Sequence, residues 1–293
     1  MSHSAPNNFL GLPDELSGYD KARVVVLPVP YEHTVSYGGG TASGPSAIIE
    51  ASAQVELYDE ELRMEPCDVG VATLPALKVE GLAPQEMRAE VVTAISRIAH
   101  DGKLPLLLGG EHSVTPAAVE AVAASCGDIT VVQIDAHADL REEYEGDPWS
   151  HACAMARVRE ICPAVQVGIR NLSKPEAKLV QRENLPVFFA NDMRMGEHWM
   201  KEALAAIPTG RIYLTIDLDG LDMSIMPATG TPEPGGMGWY QTLDFIRMLL
   251  SERDLVGMDL VELAPIKGMH ACDFLAAKLA YKCIGYHIAG LRT

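Results

Sequence analysis

The sequence is short of positive charge, since 23 lysine and arginine residues stand against 40 aspartate and glutamate residues. The formal net charge is −17 at pH 7. Such a charge disfavours binding to nucleic-acid phosphates or anionic lipid, and it attracts cations. We therefore expect neither a nucleic-acid partner nor a membrane partner.

The sequence also lacks an uninterrupted apolar run of about 18 residues, the length that a membrane-spanning helix needs. Its first residues, MSHSAPNNFLGLPDEL, have neither the basic start nor the apolar stretch of a secretory signal. Its six cysteines show no Cys-x-x-Cys spacing, which argues against a structural zinc site or a disulfide framework. These absences favour a cytoplasmic protein with reduced thiols.

No Pro/Gly/Ser-rich linker, charge block or repeat of solenoid period divides the 293 residues. A chain of this length that is 48% hydrophobic can bury one large core. We therefore expect a single domain over residues 1–293, with residues 1–20 as an N-terminal extension.

Short apolar runs alternate with stretches of helical periodicity. The apolar runs predict buried strands at 22–30, 104–108, 129–135, 164–169, 212–217 and 254–262. The periodic stretches predict helices at 84–100, 114–125, 152–161, 174–182, 200–206, 241–251 and 274–286. This alternation predicts an α/β fold in three layers, α/β/α, with a mainly parallel, doubly wound sheet.

Polar clusters follow four of the predicted strands where each strand ends. They are GGEH (109–112), DAHAD (135–139), DLD (217–219) and Glu262. In parallel sheets, ligands bind beyond the carboxyl ends of the strands, where the loops leave for the helices. We therefore expect these acids and imidazoles to meet at one edge of the sheet.

The spacing within these clusters predicts a site for metal ions. Asp135, His137 and Asp139 are two residues apart, so an extended backbone would turn their side chains to the same side, and Asp217 and Asp219 repeat this spacing. Taken singly, each residue has a structural alternative, as a helix cap or a packed histidine. Together, four carboxylates at one point would be strongly unfavourable unless cations neutralised them.

The donor set predicts the kind of metal and the chemistry. Carboxylates with few imidazoles and no thiolate suit manganese better than structural zinc. Two such ions about 3.5–4 Å apart can share one water and lower its pKa enough to supply hydroxide near neutral pH. We therefore expect a two-metal hydrolase.

The motifs resemble those of the ureohydrolases, a family that includes arginase and agmatinase and cleaves guanidino groups to release urea. The resembling segments, in family order, are GGGTASGPSAI (38–48), GGEHS (109–113), DAHADLR (135–141), SHACAM (150–155), TIDLDGLD (215–222), PATGTPEPGG (227–236) and MDLVELAP (258–265). The resemblance covers nearly the whole chain and implies an arginase-like fold. Two departures are visible, Thr215 where serine is common and Met223 where proline or alanine is usual, and neither removes a ligand.

The resemblance implies two Mn²⁺ ions per subunit. One ion would be held by His112, Asp135, Asp139 and Asp217, and the other by Asp135, His137, Asp217 and Asp219. It also implies that His151 transfers a proton to the leaving amine and that Glu262 pairs with the substrate guanidinium, roles that suit their chemistry. A homo-oligomer, either trimer or hexamer, is implied by the resemblance alone.

Agmatine is the substrate that the sequence favours. Arginases carry an asparagine that holds the amino-acid end of arginine, and Arg141 stands at that position here. The loop at 141–149 carries four acids, which would repel a substrate carboxylate and favour a distal ammonium group. Tyr144, Trp149 and Thr231 are further candidates for substrate contact. The expected reaction converts agmatine to putrescine and urea.

Other functions stay open at this point. Aminopropylagmatine satisfies the same features as agmatine, and guanidinobutyrate and arginine are further alternatives. A one-metal, deacetylase-like hydrolase is disfavoured by the second Asp-x-Asp pair, and an inactive binding relative by the complete ligand set. A nucleotide-binding protein is disfavoured because no Gly-Lys-Ser/Thr follows the glycines at 38–40.

Overall fold

The computed structural model describes residues 7–196 and 198–290, so residues 1–6 of the expected N-terminal extension lie outside the described part. One eight-stranded sheet forms the centre. Its strands are β1 (Val24–Val29), β2 (Val71–Thr73), β3 (Leu104–Gly109), β4 (Thr130–Ile134), β5 (Ala164–Ile169), β6 (Val187–Phe189), β7 (Arg211–Asp217) and β8 (Asp254–Val261). The spatial order is β2-β1-β3-β8-β7-β4-β5-β6, and every neighbouring pair is parallel. The predicted parallel sheet is confirmed.

The strands β1 and β3 are apolar along their whole length because both faces of the sheet are covered there. All six residues of β1 and all six of β3 are buried. The described helices are α1 (Asp14–Ser17), α2 (Gly44–Ser52), α3 (Pro84–His100), α4 (Thr115–Cys126), α5 (Ala154–Arg159), α6 (Lys174–Glu183), α7 (Ala190–Met193), α8 (His198–Ala205), α9 (Trp239–Glu252) and α10 (His270–Gly290).

Two hydrophobic cores separate the three layers. One core packs α2, α8, α9 and α10 on one face of the sheet, with side chains such as Ile48, Phe245 and Ile284. The other packs α3, α4 and α5 on the opposite face, with side chains such as Ile95 and Val119. Each such side chain, when fully buried, stabilises the fold by about 1.5–3 kcal/mol relative to full exposure. The arrangement is the predicted three-layer α/β/α fold.

The six predicted strands are all present in the sheet, and β2, β6 and α2 are additional elements that the patterns did not predict. Residues 9–12, inside the expected N-terminal extension, pack into the core, where Phe9 and Leu12 are fully buried. Among the described residues, no helix is both long and apolar enough to cross a membrane.

The strand order explains where the polar clusters lie. Strands β3, β8, β7 and β4 are consecutive neighbours in the middle of the sheet. These are the four strands that are followed by, or end in, the polar clusters of the sequence. Because all four run parallel, their carboxyl ends deliver these side chains to one place.

Candidate active site

The turn after β3 brings His112 over the sheet edge. A Cβ atom on Gly110 would overlap the carbonyl oxygen of Tyr31, so only glycine fits where the two backbones pass. The amide of Glu111 then donates to the same Tyr31 oxygen at 2.9 Å. His112 follows at the start of a short 3-10 turn and is fully buried.

The imidazole of His112 faces three carboxylates. Its Nδ1 atom lies 3.2 Å from Asp135, 3.1 Å from Asp139 and 3.4 Å from Asp217. None of these contacts has hydrogen-bond geometry, so this buried nitrogen has no hydrogen-bond partner within the described part of the chain. A buried nitrogen aimed at three carboxylate oxygens without a donor between them suits a metal ion.

A second cluster shares Asp135 with the first. The Nδ1 atom of His137 lies 3.0 Å from Asp219 and 3.6 Å from Asp135. Ligand atoms of Asp135, His137 and Asp219 lie within 4.8 Å of one another, as do those of His112, Asp135 and Asp217. The structure therefore brings together all six predicted metal ligands in two adjoining clusters.

The pKa values show how costly this cluster is without cations. Burial alone would lower the pKa of His137, but the charge of Asp219 and the contacts with Asp135 outweigh it and raise the pKa to about 12. Burial, followed by the charges of Asp219 and Asp135, raises the pKa of Asp217 well above its usual value. The bare site therefore favours holding protons, and divalent ions would replace them.

Two acidic residues of the site have an unusual backbone. Asp139 and Glu262 have φ angles of 51° and 67°, in the left-handed region that L-residues with side chains seldom occupy. Such conformations cost about 1–3 kcal/mol and persist where the surrounding structure fixes them. Here they turn two carboxylates toward the clusters.

His112 is oriented through a threonine by a buried carboxylate. Its Nε2 atom lies 2.9 Å from the hydroxyl of Thr215, which donates to Asp259 at 2.6 Å. Tyr213 and Thr115 also donate to Asp259, at 2.8 and 2.9 Å. Because the Thr215 proton goes to Asp259, its oxygen accepts from Nε2–H of His112, which leaves the Nδ1 lone pair for a metal. We call Asp259, Thr215 and His112 the sheet triad.

An inner chamber of about 20 Å³ opens from the clusters. Glu262 lines it together with Asp217, Asp219 and Thr231. The carboxylate of Glu262 accepts from the His112 amide at 2.6 Å, and burial followed by the charge of Glu111 raises its pKa well above the usual value. An acidic chamber of this kind favours a planar cation such as guanidinium.

An outer chamber of about 170 Å³ continues from the inner one. His151, His137, Asp139 and Thr231 line both chambers, and Tyr144, Arg141, Asn171 and Glu176 line the outer one. The predicted candidates Tyr144 and Thr231 are thus on the cavity wall. Trp149 is not among the described residues of that wall, because it lies under the guanidinium of Arg88, 4.6 Å from the ring centre.

The acids of the loop at 142–147 do not occupy the expected place. Glu142 binds Arg157 at 3.1 Å, and Glu142 and Glu143 line a separate groove beside α6. None of the four loop acids is among the described residues that line the cavity. Besides the predicted metal ligand Asp139, the outer wall carries the carboxylate of Glu176, which is buried and was not predicted from the sequence.

Several other residues in or beside the site were not predicted. Glu176 had a visible signal as the capping residue of the Ser-x-x-Glu start of α6, whereas Asp259 and Thr34 had none, because their partners are distant in sequence. Thr215 was noted only as a departure from the family pattern. Its hydroxyl makes hydrogen bonds that a serine hydroxyl could also make.

Fold and site together define a class, a three-layer α/β/α protein whose all-parallel sheet carries paired clusters of aspartate and histidine suited to divalent ions. The Arginase family model matches residues 22–285, and the chain belongs to that family. It is a ureohydrolase, an enzyme that acts on guanidino compounds.

Related proteins match along almost the whole chain. The chain is 45% identical to the N(1)-aminopropylagmatine ureohydrolase of Synechocystis sp., over 97% of this chain and 94% of that protein. It is 39% identical to an enzyme of the same name from Thermus thermophilus, over 91% of both chains. The solved agmatine ureohydrolase of Thermoplasma volcanium matches with a TM-score of 0.88 and 28% identity, over 99% of this chain and 97% of that one.

Proposed function

We propose that the protein hydrolyses the guanidino group of N(1)-aminopropylagmatine to urea and the corresponding triamine, with two Mn²⁺ ions. The observation that carries this proposal is the pair of clusters sharing Asp135, open to one acidic cavity. Relatives at 45% and 39% identity have this name. Agmatine, which the sequence analysis placed first, becomes the second candidate, supported by the structural neighbour named for agmatine.

The residues present fit two divalent ions. His112 offers a buried Nδ1 atom without a hydrogen-bond partner in the described structure, and the carboxylates around it provide the hard oxygen ligands that manganese prefers. One ion would be held by His112, Asp135, Asp139 and Asp217, and the other by Asp135, His137, Asp217 and Asp219. When bound, the two ions would supply Lewis acidity that lowers the pKa of a water molecule at the site.

The remaining residues of the inner chamber bind the substrate and move protons. Glu262 orients the substrate, because its carboxylate accepts paired hydrogen bonds from two N–H groups of the guanidinium. His151, on the wall shared by both chambers, gives a proton to the amine nitrogen as the carbon–nitrogen bond breaks. Water supplies the oxygen of urea, and the leaving nitrogen becomes the primary amine of the product.

The outer chamber favours a substrate longer than agmatine. Glu176 is buried, and its two oxygens accept from the amides of Leu140 at 3.0 Å and Ser173 at 2.7 Å. Oε2 also lies 3.8 Å from Nε of Arg141, whereas Oε1 accepts only the Leu140 amide among the described residues and retains the capacity to accept an ammonium. Tyr144 presents its ring on the same wall, where an aliphatic chain would pass. The aminopropyl extension would reach this end of the cavity.

The first test is urea release by the Mn²⁺-loaded protein, offered aminopropylagmatine, agmatine, guanidinobutyrate and arginine separately. We expect kcat/KM to be highest for aminopropylagmatine, with agmatine next. A preference for agmatine would reverse the two candidates, and a preference for guanidinobutyrate or arginine would contradict the assignment of a cationic distal group.

The second test is Glu176→Gln, compared with Glu142→Gln. Loss of the buried charge should raise KM for aminopropylagmatine about five- to tenfold while changing KM for agmatine less than about twofold. Glu142 faces Arg157 outside the cavity, so its variant should behave like the wild type. Equal effects of Glu176→Gln on both substrates would remove this carboxylate from substrate selection.

A further inference from the structure

The side chain of Thr34 lies between His151 and a buried carboxylate. Its hydroxyl oxygen is 3.1 Å from Nδ1 of His151 and accepts from the His151 amide at 3.0 Å. The same hydroxyl donates to Glu111 at 2.9 Å. We call Glu111, Thr34 and His151 the loop triad, because all three lie outside the strands and α-helices.

Glu111 collects hydrogen-bond donors. It is fully buried and accepts from the amides of His33 and Thr34, at 2.7 and 2.6 Å, and from the hydroxyl of Ser113 at 2.5 Å. Thr34 therefore meets a carboxylate that can only accept hydrogen bonds when ionised, and its single hydroxyl proton is directed to Glu111.

Counting protons then fixes the role of each nitrogen of His151. The Thr34 oxygen has one proton, given to Glu111, and two lone pairs, one of which accepts the His151 amide. The remaining lone pair faces Nδ1 at 3.1 Å, closer than the Ser150 hydroxyl at 3.4 Å, and this geometry favours a hydrogen on Nδ1. The Nε2 atom lies 3.2 Å from the hydroxyl of Ser36, which lines both chambers and can donate to it.

We infer that Thr34 is a positioning residue that holds His151 in the tautomer with hydrogen on Nδ1 and directs Nε2 into the cavity. This inference rests on the proposed role of His151. The same hydrogen bond to Thr34 can then hold His151 in both its neutral and its protonated form. Neutral His151 presents the Nε2 lone pair, and protonated His151 presents an Nε2–H donor to the leaving amine, while the Nδ1–H bond to Thr34 stays the same in both.

The matched pair for the test is Thr34→Val and Thr34→Ser. Valine has the shape of threonine without the hydroxyl; it removes the acceptor of the His151 amide as well as the contact with Nδ1, while Glu111 keeps its three other donors. We expect Thr34→Val to lower kcat about ten- to hundredfold, with KM and bound Mn²⁺ changed less than about twofold. Thr34→Ser should stay within about threefold of wild type, and Thr93→Val, on the exposed surface of α3, is the control.

A second readout does not depend on turnover. The ¹⁵N shifts of labelled histidines, recorded with diamagnetic Mg²⁺ in place of Mn²⁺ and assigned with His151→Asn, report which ring nitrogen carries the hydrogen. We expect neutral His151 to be protonated at Nδ1 in the wild type and in Thr34→Ser, and to be a mixture of tautomers in Thr34→Val.

Two outcomes would overturn the inference. One is a hydrogen on Nε2 of neutral His151 in the wild type, and the other is a Thr34→Val enzyme with unchanged kcat. The proposed function fails in a different way, if the wild type releases no urea from any guanidino compound. The tautomer measurement still decides the role of Thr34 in that case.

Discussion

The sheet triad and the loop triad use the same arrangement, in which a threonine hydroxyl lies between an imidazole and a buried carboxylate. In the sheet triad, two residues belong to neighbouring strands and Asp259 receives three hydroxyl donors. In the loop triad, backbone amides provide much of the support for Glu111, and His151 lies on the cavity wall. The sheet triad, held by two neighbouring strands, suits a metal ligand, whereas the loop triad suits the proton transfer that we propose for His151.

The largest effect should come from removing metal, which affects the sheet triad directly. Chelation should reduce urea release to below about 1% of the Mn²⁺-loaded rate, because the cluster carboxylates then retain protons and no water is activated. It should also lower the melting temperature by several degrees, since bound ligand stabilises the folded state by about 4 kcal/mol at 1,000 times its Kd. Calorimetry and a urea assay measure the two effects.

Adding Mn²⁺ back after chelation is the control for that experiment, and it should restore both properties. A chelated protein that keeps its full rate would contradict the two-metal mechanism. A protein that loses the rate but binds only one ion per chain would point to the one-metal alternative.

The sheet edge was the part of the site that the sequence predicted best. Strand-end motifs reveal residues such as His112 and Asp217 because each follows a buried apolar run that is itself easy to recognise. The central position of β3, β8, β7 and β4 in the sheet was not predictable, since strand order depends on long-range packing. The short strands β2 and β6 have three residues each, too few to show a pattern.

The residues that support the ligands were much less visible. Thr34 and His151 are 117 residues apart, and Thr215 and Asp259 are 44 apart, so nothing local connects them. The loop acids were expected to face the substrate, but the sequence of the loop does not determine where their side chains point. Glu142 turns to Arg157, while Glu176, from the next helix, lines the cavity.

A smaller effect, on the Kd for Mn²⁺, should distinguish the sheet triad from the loop triad. Thr215→Val removes the hydroxyl that orients His112 and should raise the Kd for Mn²⁺ about 10- to 100-fold. Thr34→Val should leave that Kd unchanged, because His151 is not a ligand. Isothermal titration of the metal-free proteins gives both values.

Thr215→Ser is the matched control, because serine retains the hydroxyl that donates to Asp259. It should bind Mn²⁺ within about threefold of wild type. Equal weakening of Mn²⁺ binding by Thr215→Val and Thr34→Val would mean that both triads affect the metal site. The proposed division, with one triad for the metal and the other for His151, would then be wrong.

The smallest effect concerns His287 on α10, a histidine without such a triad. Burial, followed by the charge of Arg23, lowers its pKa from 6.5 to about 4. Between these pH values the unfolded chain binds a proton that the folded chain does not, so the free energy of unfolding falls as pH drops through 6.5 and levels off below 4. The full shift corresponds to about 3 kcal/mol, and solvent screening reduces it to about 1 kcal/mol.

Substitution of His287 by glutamine removes this titration. The fall in melting temperature between pH 7 and pH 5 should therefore be smaller than in the wild type by about 2 °C. His100→Gln, whose side chain is 89% exposed, should leave the wild-type pH dependence unchanged. If the melting temperature of His287→Gln fell with pH as steeply as that of the wild type, the imidazole of wild-type His287 would be free to take up a proton in the folded state. Burial, opposed only by the charge of Asp254, would then not be what separates His287 from the raised pKa values of His112 and His137.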